Sequence, residues 1–253
     1  MVHITKEKID HVPFLMAELS ELRNEPAPLF LFLHGYTSAK EHNLHFAYAL
    51  AEKGFRVLLP DAPLHGEREP EDVSKRDMKF WDIVLQAVQE SNAIVDHFNE
   101  KKLTIPGKIG LGGTSMGAIT MYAVLSQNAE ISAGISLMGT PALETFAKWQ
   151  VEQLKNRGWT IPFTEQLLQD VYLTLRSLDV TADIGKLNNR PLFIWHSKCD
   201  AIIPFEQSYS FYNMLRAEGY EGRTEFMEDS ASGHKVSREA FLRSVEWIQE
   251  IIS

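Results

Sequence analysis

Residues 112–118 read GGTSMGA, with Gly113 and Gly117 each two positions from Ser115. Glycine loses more backbone freedom on folding than any other residue, so glycines crowded in this way are costly in a regular element. They mark a backbone that turns sharply or runs very close to another segment. The run before them, GKIGLGG (107–113), has the apolar character of a strand, and the run from about Met116 to Gln127 has that of a helix. A G-x-S-x-G pentapeptide between a strand and a helix is the sequence of a nucleophile elbow, in which the serine hydroxyl stands exposed above a sheet. A solvated serine in a glycine-rich turn is the bland alternative, and the rest of the chain decides between the two.

The chain around this elbow alternates short apolar runs with amphipathic stretches, the pattern of a mostly parallel sheet covered by helices. The runs VHITKEKI and HVPFLMAEL predict an antiparallel start. Strands are then expected at 28–35, 55–61, 107–113, 131–139, 190–197 and 223–229. Ser38 and Glu41 have the spacing of a capping box and predict a helix closing near Gly54. Apolar residues from Phe80 to Phe98 fall on one helical face, and 238–252 reads as a closing amphipathic helix. Residues 141–189 separate two strands by more than a crossover needs. Their apolar content (Phe146, Trp149, Leu154, Leu167, Leu168, Val171, Leu175) predicts two or more helices inserted as a cap within a single domain spanning 1–253.

Composition narrows the function. A net charge of −9 repels phosphate-rich partners, which argues against nucleic acid. Apolar runs such as LFLFL fall far short of the roughly 18–20 residues needed to span a membrane. The first ten residues lack the apolar core of a signal peptide. One cysteine, Cys199, excludes an internal disulfide framework and suits a reducing cytoplasm. The expectation is a soluble cytoplasmic protein acting on a small molecule.

A serine hydroxyl needs a base, and the base needs a group to orient it. On a sheet of this kind the order is serine, acid, base, with the acid after a late strand and the base after the last one. Asp200, in FIWHSKCDAIIP, and His234, in DSASGHKV, stand at those places. His196 is the other candidate base, but it precedes Asp200 by four residues. Asp229 is the other candidate acid, but it shares a short loop with His234. The amide of Met116 at a helix N-terminus and that of Tyr36 in LHGYTS are the expected oxyanion donors. His34, just before Gly35, is expected to hold that loop rather than to react. His42 and His45 can share a helix face, yet no third metal ligand of matching spacing accompanies them, so no metal is expected. Cys199 lies away from the elbow.

With these parts in view, FLHGYTSAKE, LLPDAPLHGER, GGTSMGA, WHSKCDAIIP and SGHK together resemble the α/β-hydrolase superfamily over nearly the whole chain. More closely, they resemble small bacterial esterases of the prolyl-oligopeptidase and dienelactone-hydrolase-like branch. The resemblance implies an eight-stranded, mostly parallel sheet and hydrolysis of a carboxylic ester without a cofactor. Dienelactone hydrolases carry cysteine at the elbow, where this chain has Ser115. Prolyl oligopeptidases add a propeller domain for which 253 residues leave no room. The resemblance also implies that His65 and Arg68 shape the rim of the site, while Phe146 and Trp149 of the cap are expected to line the substrate pocket. A peptidase, amidase or thioesterase would use the same three residues, and a binding protein without activity would need none of them.

Overall fold

A computed structural model describes residues 1–220 and 223–252. In chain order the elements are strands β1 (Val2–Ile9), β2 (Val12–Leu19) and β3 (Ala27–Leu33), helix α1 (Leu44–Ala51), strand β4 (Arg56–Pro60), and helices α2 (Ser74–Asp77) and α3 (Phe80–Glu100). Strand β5 (Thr104–Thr114), helix α4 (Met116–Leu125) and strand β6 (Ala133–Leu137) follow, and then helices α5 (Leu143–Asn156) and α6 (Glu165–Leu178). The chain closes with strand β7 (Leu192–Ser197), helix α7 (Phe205–Ala217), strand β8 (Thr224–Asp229) and helix α8 (Arg238–Ile252). The eight strands form one sheet in the order β1-β2-β4-β3-β5-β6-β7-β8. Strands β1 and β2 pair antiparallel, β2 meets β4 antiparallel, and the remaining neighbours are parallel. Among the described residues no helix is long and apolar enough to cross a membrane.

The near-continuous apolar run of β3 is explained by what covers it. Leu29, Leu31 and Leu33 face a core shared with α3, α4, α7 and the α5–α6 pair. Phe30 and Phe32 alternate to the opposite face, where α1 and α8 supply Phe46, Leu50, Trp247 and Ile248. A strand covered on both faces needs no polar side, so its sequence loses the alternation of a half-exposed strand. Every residue of α4 is buried, which accounts for a helix that is apolar all round. The strands and helices expected from the sequence are present, with shifts of a few residues at their ends.

Two local expectations fail. Ser38 does not cap a helix: its hydroxyl bonds the ring of His42 (3.0 Å), residues Lys40–Asn43 form a short 3-10 turn, and α1 begins only at Leu44 without a side-chain cap. The reason is tertiary, because Lys40 at this turn is drawn into a buried ion pair with Asp61. Helix α7 was not expected at all. Residues 141–189 hold α5, α6 and a short 3-10 turn at Ile184–Leu187. The return to the sheet is anchored by Arg190, whose buried guanidinium donates to the carbonyls of Leu187 (2.7 Å), Asn128 (2.6 Å) and Leu125, the last residue of α4.

Candidate active site

Ser115 sits between β5 and α4 with φ 53° and ψ −118°, a backbone conformation that a residue with a side chain rarely adopts. Its amide donates to Leu137 O of the neighbouring strand (2.9 Å), and its carbonyl accepts the amides of Ala118 and Ile119, which starts α4. The two flanking glycines permit this turn because the backbones nearly touch. A Cβ on Gly117 would lie 2.1 Å from Leu33 O, and one on Gly113 would lie 2.5 Å from the backbone carbon of Gly117. Any side chain at either place would push β3, β5 and α4 apart.

Asp200 lies in the turn after β7, and His234 in the loop after β8. His234 Nε2 is 2.9 Å from Ser115 Oγ, and His234 Nδ1 is 2.7 Å from Asp200 Oδ2. A nitrogen facing a carboxylate carries the proton, so Nδ1–H donates to Asp200, and Nε2 is left to accept from the serine hydroxyl. The other carboxylate oxygen, Oδ1, accepts the amides of Ile202 (2.8 Å) and Ile203 (3.0 Å). Burial works against ionisation of Asp200. Hydrogen bonds from His196, His234 and the Ile203 and Ile202 amides prevail and hold the carboxyl well below the usual carboxylate range. Asp229 has a different place: its Oδ1 accepts the amides of Ala231 and Ser232, shaping the loop that carries His234. Ser197 Oγ accepts the amides of Cys199 (3.3 Å) and Gly233 (3.2 Å), joining the acid loop to the histidine loop.

On the other side of Ser115 runs the loop after β3. A Cβ on Gly35 would lie 3.4 Å from Ser115 Cβ, so this loop passes directly beside the serine. Two buried histidines suspend it. His34 Nδ1–H donates to Gly35 O (2.8 Å), and its Nε2 accepts the amide of Ala62 (3.0 Å). His65 Nδ1–H donates to Pro63 O (2.8 Å), and its Nε2 accepts the amide of Thr37 (3.1 Å). Burial lowers the pKa of both rings, that of His34 to about 4, which keeps each Nε2 free to accept. The segment beneath is fixed by Asp61, which is fully buried and pairs with the equally buried Lys40 Nζ at 2.6 Å. Asp61 also accepts the amides of Lys40 and Glu67. Burial opposes the charge on Lys40, but Asp61, Glu67 and Glu41 together raise its pKa above the ordinary lysine value.

The profile of the Prolyl oligopeptidase family matches residues 42–253. The chain belongs to the prolyl oligopeptidase family. It is 39% identical to "Putative esterase YitV" of Bacillus subtilis over 98% of this chain and 99% of that one. It is also 27% identical to "Esterase YjfP" of Escherichia coli over 99% of each. The crystal structure of TT1662 from Thermus thermophilus superposes with a TM-score of 0.77 at 20% identity, covering 100% of this chain and 99% of that one. That likeness shows a shared fold.

In this member of the prolyl oligopeptidase family the expected residues divide into two groups. Ser115, His234 and Asp200 meet in one hydrogen-bonded line; Tyr36 follows Gly35 in the loop that passes beside the serine, and Met116 opens α4 directly after it. His65 and Arg68 sit deeper than a pocket rim. His65 is fully buried with both ring nitrogens committed to backbone, and Arg68 grips both oxygens of Glu90 (2.7 and 2.8 Å) and the carbonyl of Asp61. Both support the loop and leave little to offer a ligand. Phe146 is only 2% exposed, stacked on the half-buried Trp149 at 5.6 Å. Of the expected pair, Trp149 therefore presents the accessible surface and Phe146 backs it. His42 bonds Ser38, and His45 packs edge-on against Phe241. Cys199 is exposed, and its thiol donates to Ser230 O.

The helical periodicity marks Phe80 only as an apolar residue on one face of α3. Its ring lies 5.7 Å from that of Tyr36 and 6.4 Å from that of Phe146, linking the loop beside Ser115 to α5. Its adjacency to Trp81 at a helix start was the available signal, since Trp81 leans on Phe146 and donates its indole N–H to Gln150 of α5 (3.0 Å). Lys40 gave no signal, because nothing local marks one lysine among many as buried.

Proposed function

We propose that the chain is a serine carboxylesterase in which Ser115 is the nucleophile, His234 the general base and Asp200 the residue that orients it. Ser115 Oγ attacks the ester carbonyl while His234 Nε2 takes its proton. The amides of Tyr36 and Met116 receive the oxyanion, the contribution usually worth most to catalysis. The imidazolium then gives its proton to the departing alcohol, and water, activated by the same ring, releases the acid from the acyl-enzyme. No step calls for a cofactor. The observation that carries this reading is the unbroken line from Ser115 Oγ through His234 to Asp200, at 2.9 and 2.7 Å.

Ester rather than amide chemistry is supported by the names of the two curated relatives, both called esterases. The family name gives the peptidase reading its standing. Residues 141–189 are part of the same proposal, as a cap within one domain that selects acyl size. The rings running from Tyr36 through Phe80 and Phe146 to Trp149 support it, and each methylene selected by such a wall is worth about 1–3 kcal/mol. A cytoplasmic location fits the single cysteine. The test compares hydrolysis of p-nitrophenyl acetate with that of matched p-nitroanilides, using the wild type and Ser115→Ala. The proposal expects ester turnover that exceeds anilide turnover and falls by about 10⁴-fold or more in the variant. Faster anilide cleavage would turn the assignment to a peptidase.

A further inference from the structure

His196 is a fully buried histidine that the mechanism above leaves unused, four residues before Asp200 at the end of β7. Its Nε2 lies 3.2 Å from Asp200 Oδ2, the same oxygen that receives His234 Nδ1–H, and 3.1 Å from Ile203 O. A ring nitrogen facing a carboxylate oxygen and a carbonyl oxygen has two acceptors before it, so it carries the hydrogen and donates. On the opposite edge Nδ1 accepts from the Ser208 hydroxyl of α7 (2.9 Å), whose oxygen also lies 2.8 Å from Gly139 O just beyond β6. The Phe205 ring, also from α7, closes edge-on against the imidazole at 5.9 Å. His196 is thus clamped from α7 and the acid loop, and it passes that fixed position to one oxygen of Asp200.

We propose that His196 is a positioning residue for ester hydrolysis, holding Asp200 Oδ2 from behind so that the carboxylate meets His234 in one orientation throughout the reaction. This rests on the reading of Ser115, His234 and Asp200 given above. The hydrogen-bond accounting explains why such a residue is needed. The two amides hold Oδ1 but leave the carboxylate able to swing about that edge. Only Oδ2 touches His234, and a buried oxygen with a single partner that must also stabilise a transient imidazolium would be free to shift. A second donor on Oδ2 removes that freedom and shares its charge. Asp200 is the titratable group that faces His196, and His234 is the one that faces Asp200 beyond it.

His196→Leu fills the volume without a donor, whereas His196→Gln carries its amide nitrogen as far from Cβ as Nε2 and keeps one. With p-nitrophenyl acetate, the leucine variant is expected to lose about 10- to 100-fold in kcat with KM little changed, the cost of one hydrogen bond to a charged group when it falls on the transition state. The acid limb of its kcat/KM profile moves to higher pH, because Oδ2 then serves His234 alone and favours its protonated form. The glutamine variant recovers most of the rate and moves the limb back. A leucine variant with wild-type kcat and limb would overturn the proposal. So would leucine and glutamine variants that fold, lose rate equally and leave the limb in place, since that is the behaviour of a packing residue. If the leucine variant does not fold, Ser208→Ala, which loosens only the rear of the ring, takes its place: a several-fold loss of kcat with the same limb shift supports the proposal, and wild-type behaviour overturns it. Ser115→Ala measured in parallel separates the two claims, since activity that survives that change refutes the site itself rather than the role of His196.

Discussion

Around Asp200 the chain holds its position with polar contacts: two amides and two imidazoles on one carboxylate, and a serine hydroxyl joining the acid and histidine loops. The α5–α6 excursion adds a broad apolar face to a few polar ties such as that from Trp81 to Gln150. Phe146, Leu168, Tyr172 and Leu175 pack into the core, while Trp159 is 66% exposed and Leu173 65% exposed on its outer side. Hydrogen bonds fix directions to within tenths of an ångström, whereas apolar burial is non-directional and tolerates rearrangement. The difference teaches where each kind of change should register. Disturbing the polar frame should alter rate with the fold intact, and disturbing the excursion should alter stability or acyl preference with the chemistry intact.

Asp200→Asn offers the sharpest contrast. The amide can donate toward His234 Nδ1 and favours the wrong tautomer, so kcat should fall on the order of 10⁴-fold at little cost to folding. Steady-state kinetics beside a melting curve would show it. A loss of stability that matched the loss of rate would erase the distinction between the regions. Phe146→Ala is the counterpart, deleting a ring enclosed by Phe80, Trp81 and Trp149. It should cost about 3–5 kcal/mol in denaturant unfolding, with turnover per folded molecule on the smallest ester preserved.

The loop on the other side of Ser115 predicts a pH effect. His34 has its pKa lowered from the ordinary 6.5 to about 4, chiefly by burial, so between these values the unfolded chain binds the proton and the folded one does not. Stability should therefore fall as pH drops from 6.5 to 4, by about 3 kcal/mol for this group, with His65 contributing in the same direction. His34→Gln, which can accept the Ala62 amide without titrating, should flatten that slope in urea titrations. Equal slopes would show that the ring is not protected from protonation. At the small end, Trp159→Ala should change stability by no more than about 0.5 kcal/mol, because its ring is largely in solvent. A larger loss would mean that the outer face of the excursion is not the permissive surface its exposure indicates.

The sequence foretold those parts of the molecule whose physics is local. The strands showed as apolar runs, and the elbow showed because only glycine fits where the backbones nearly meet. Asp200 and His234 could be placed because strand order dictates which loops face Ser115. Helix α7 stayed hidden for a reason that the structure supplies. Its buried face runs Phe205, Ser208, Phe211, Leu215, and the polar Ser208 that interrupts the apolar repeat is committed to His196. The capping spacing at Ser38 and Glu41 misled because Lys40 between them is drawn inward by Asp61. His65 and Arg68, expected at a rim, brace the loop beside Ser115, and their partners Thr37 and Glu90 come from segments that only folding brings together.

Ser115 as an activated nucleophile is the claim on which every role assigned above depends. Incubation with a fluorophosphonate, followed by intact-mass and peptide mass spectrometry, tests this without any assumption about the substrate. With Ser115 as the nucleophile, the peptide containing it should be phosphonylated stoichiometrically, esterase activity should fall in step with labelling, and Asp200→Asn should slow labelling severely. Labelling on another residue, or full activity in protein fully modified at Ser115, would contradict that assignment.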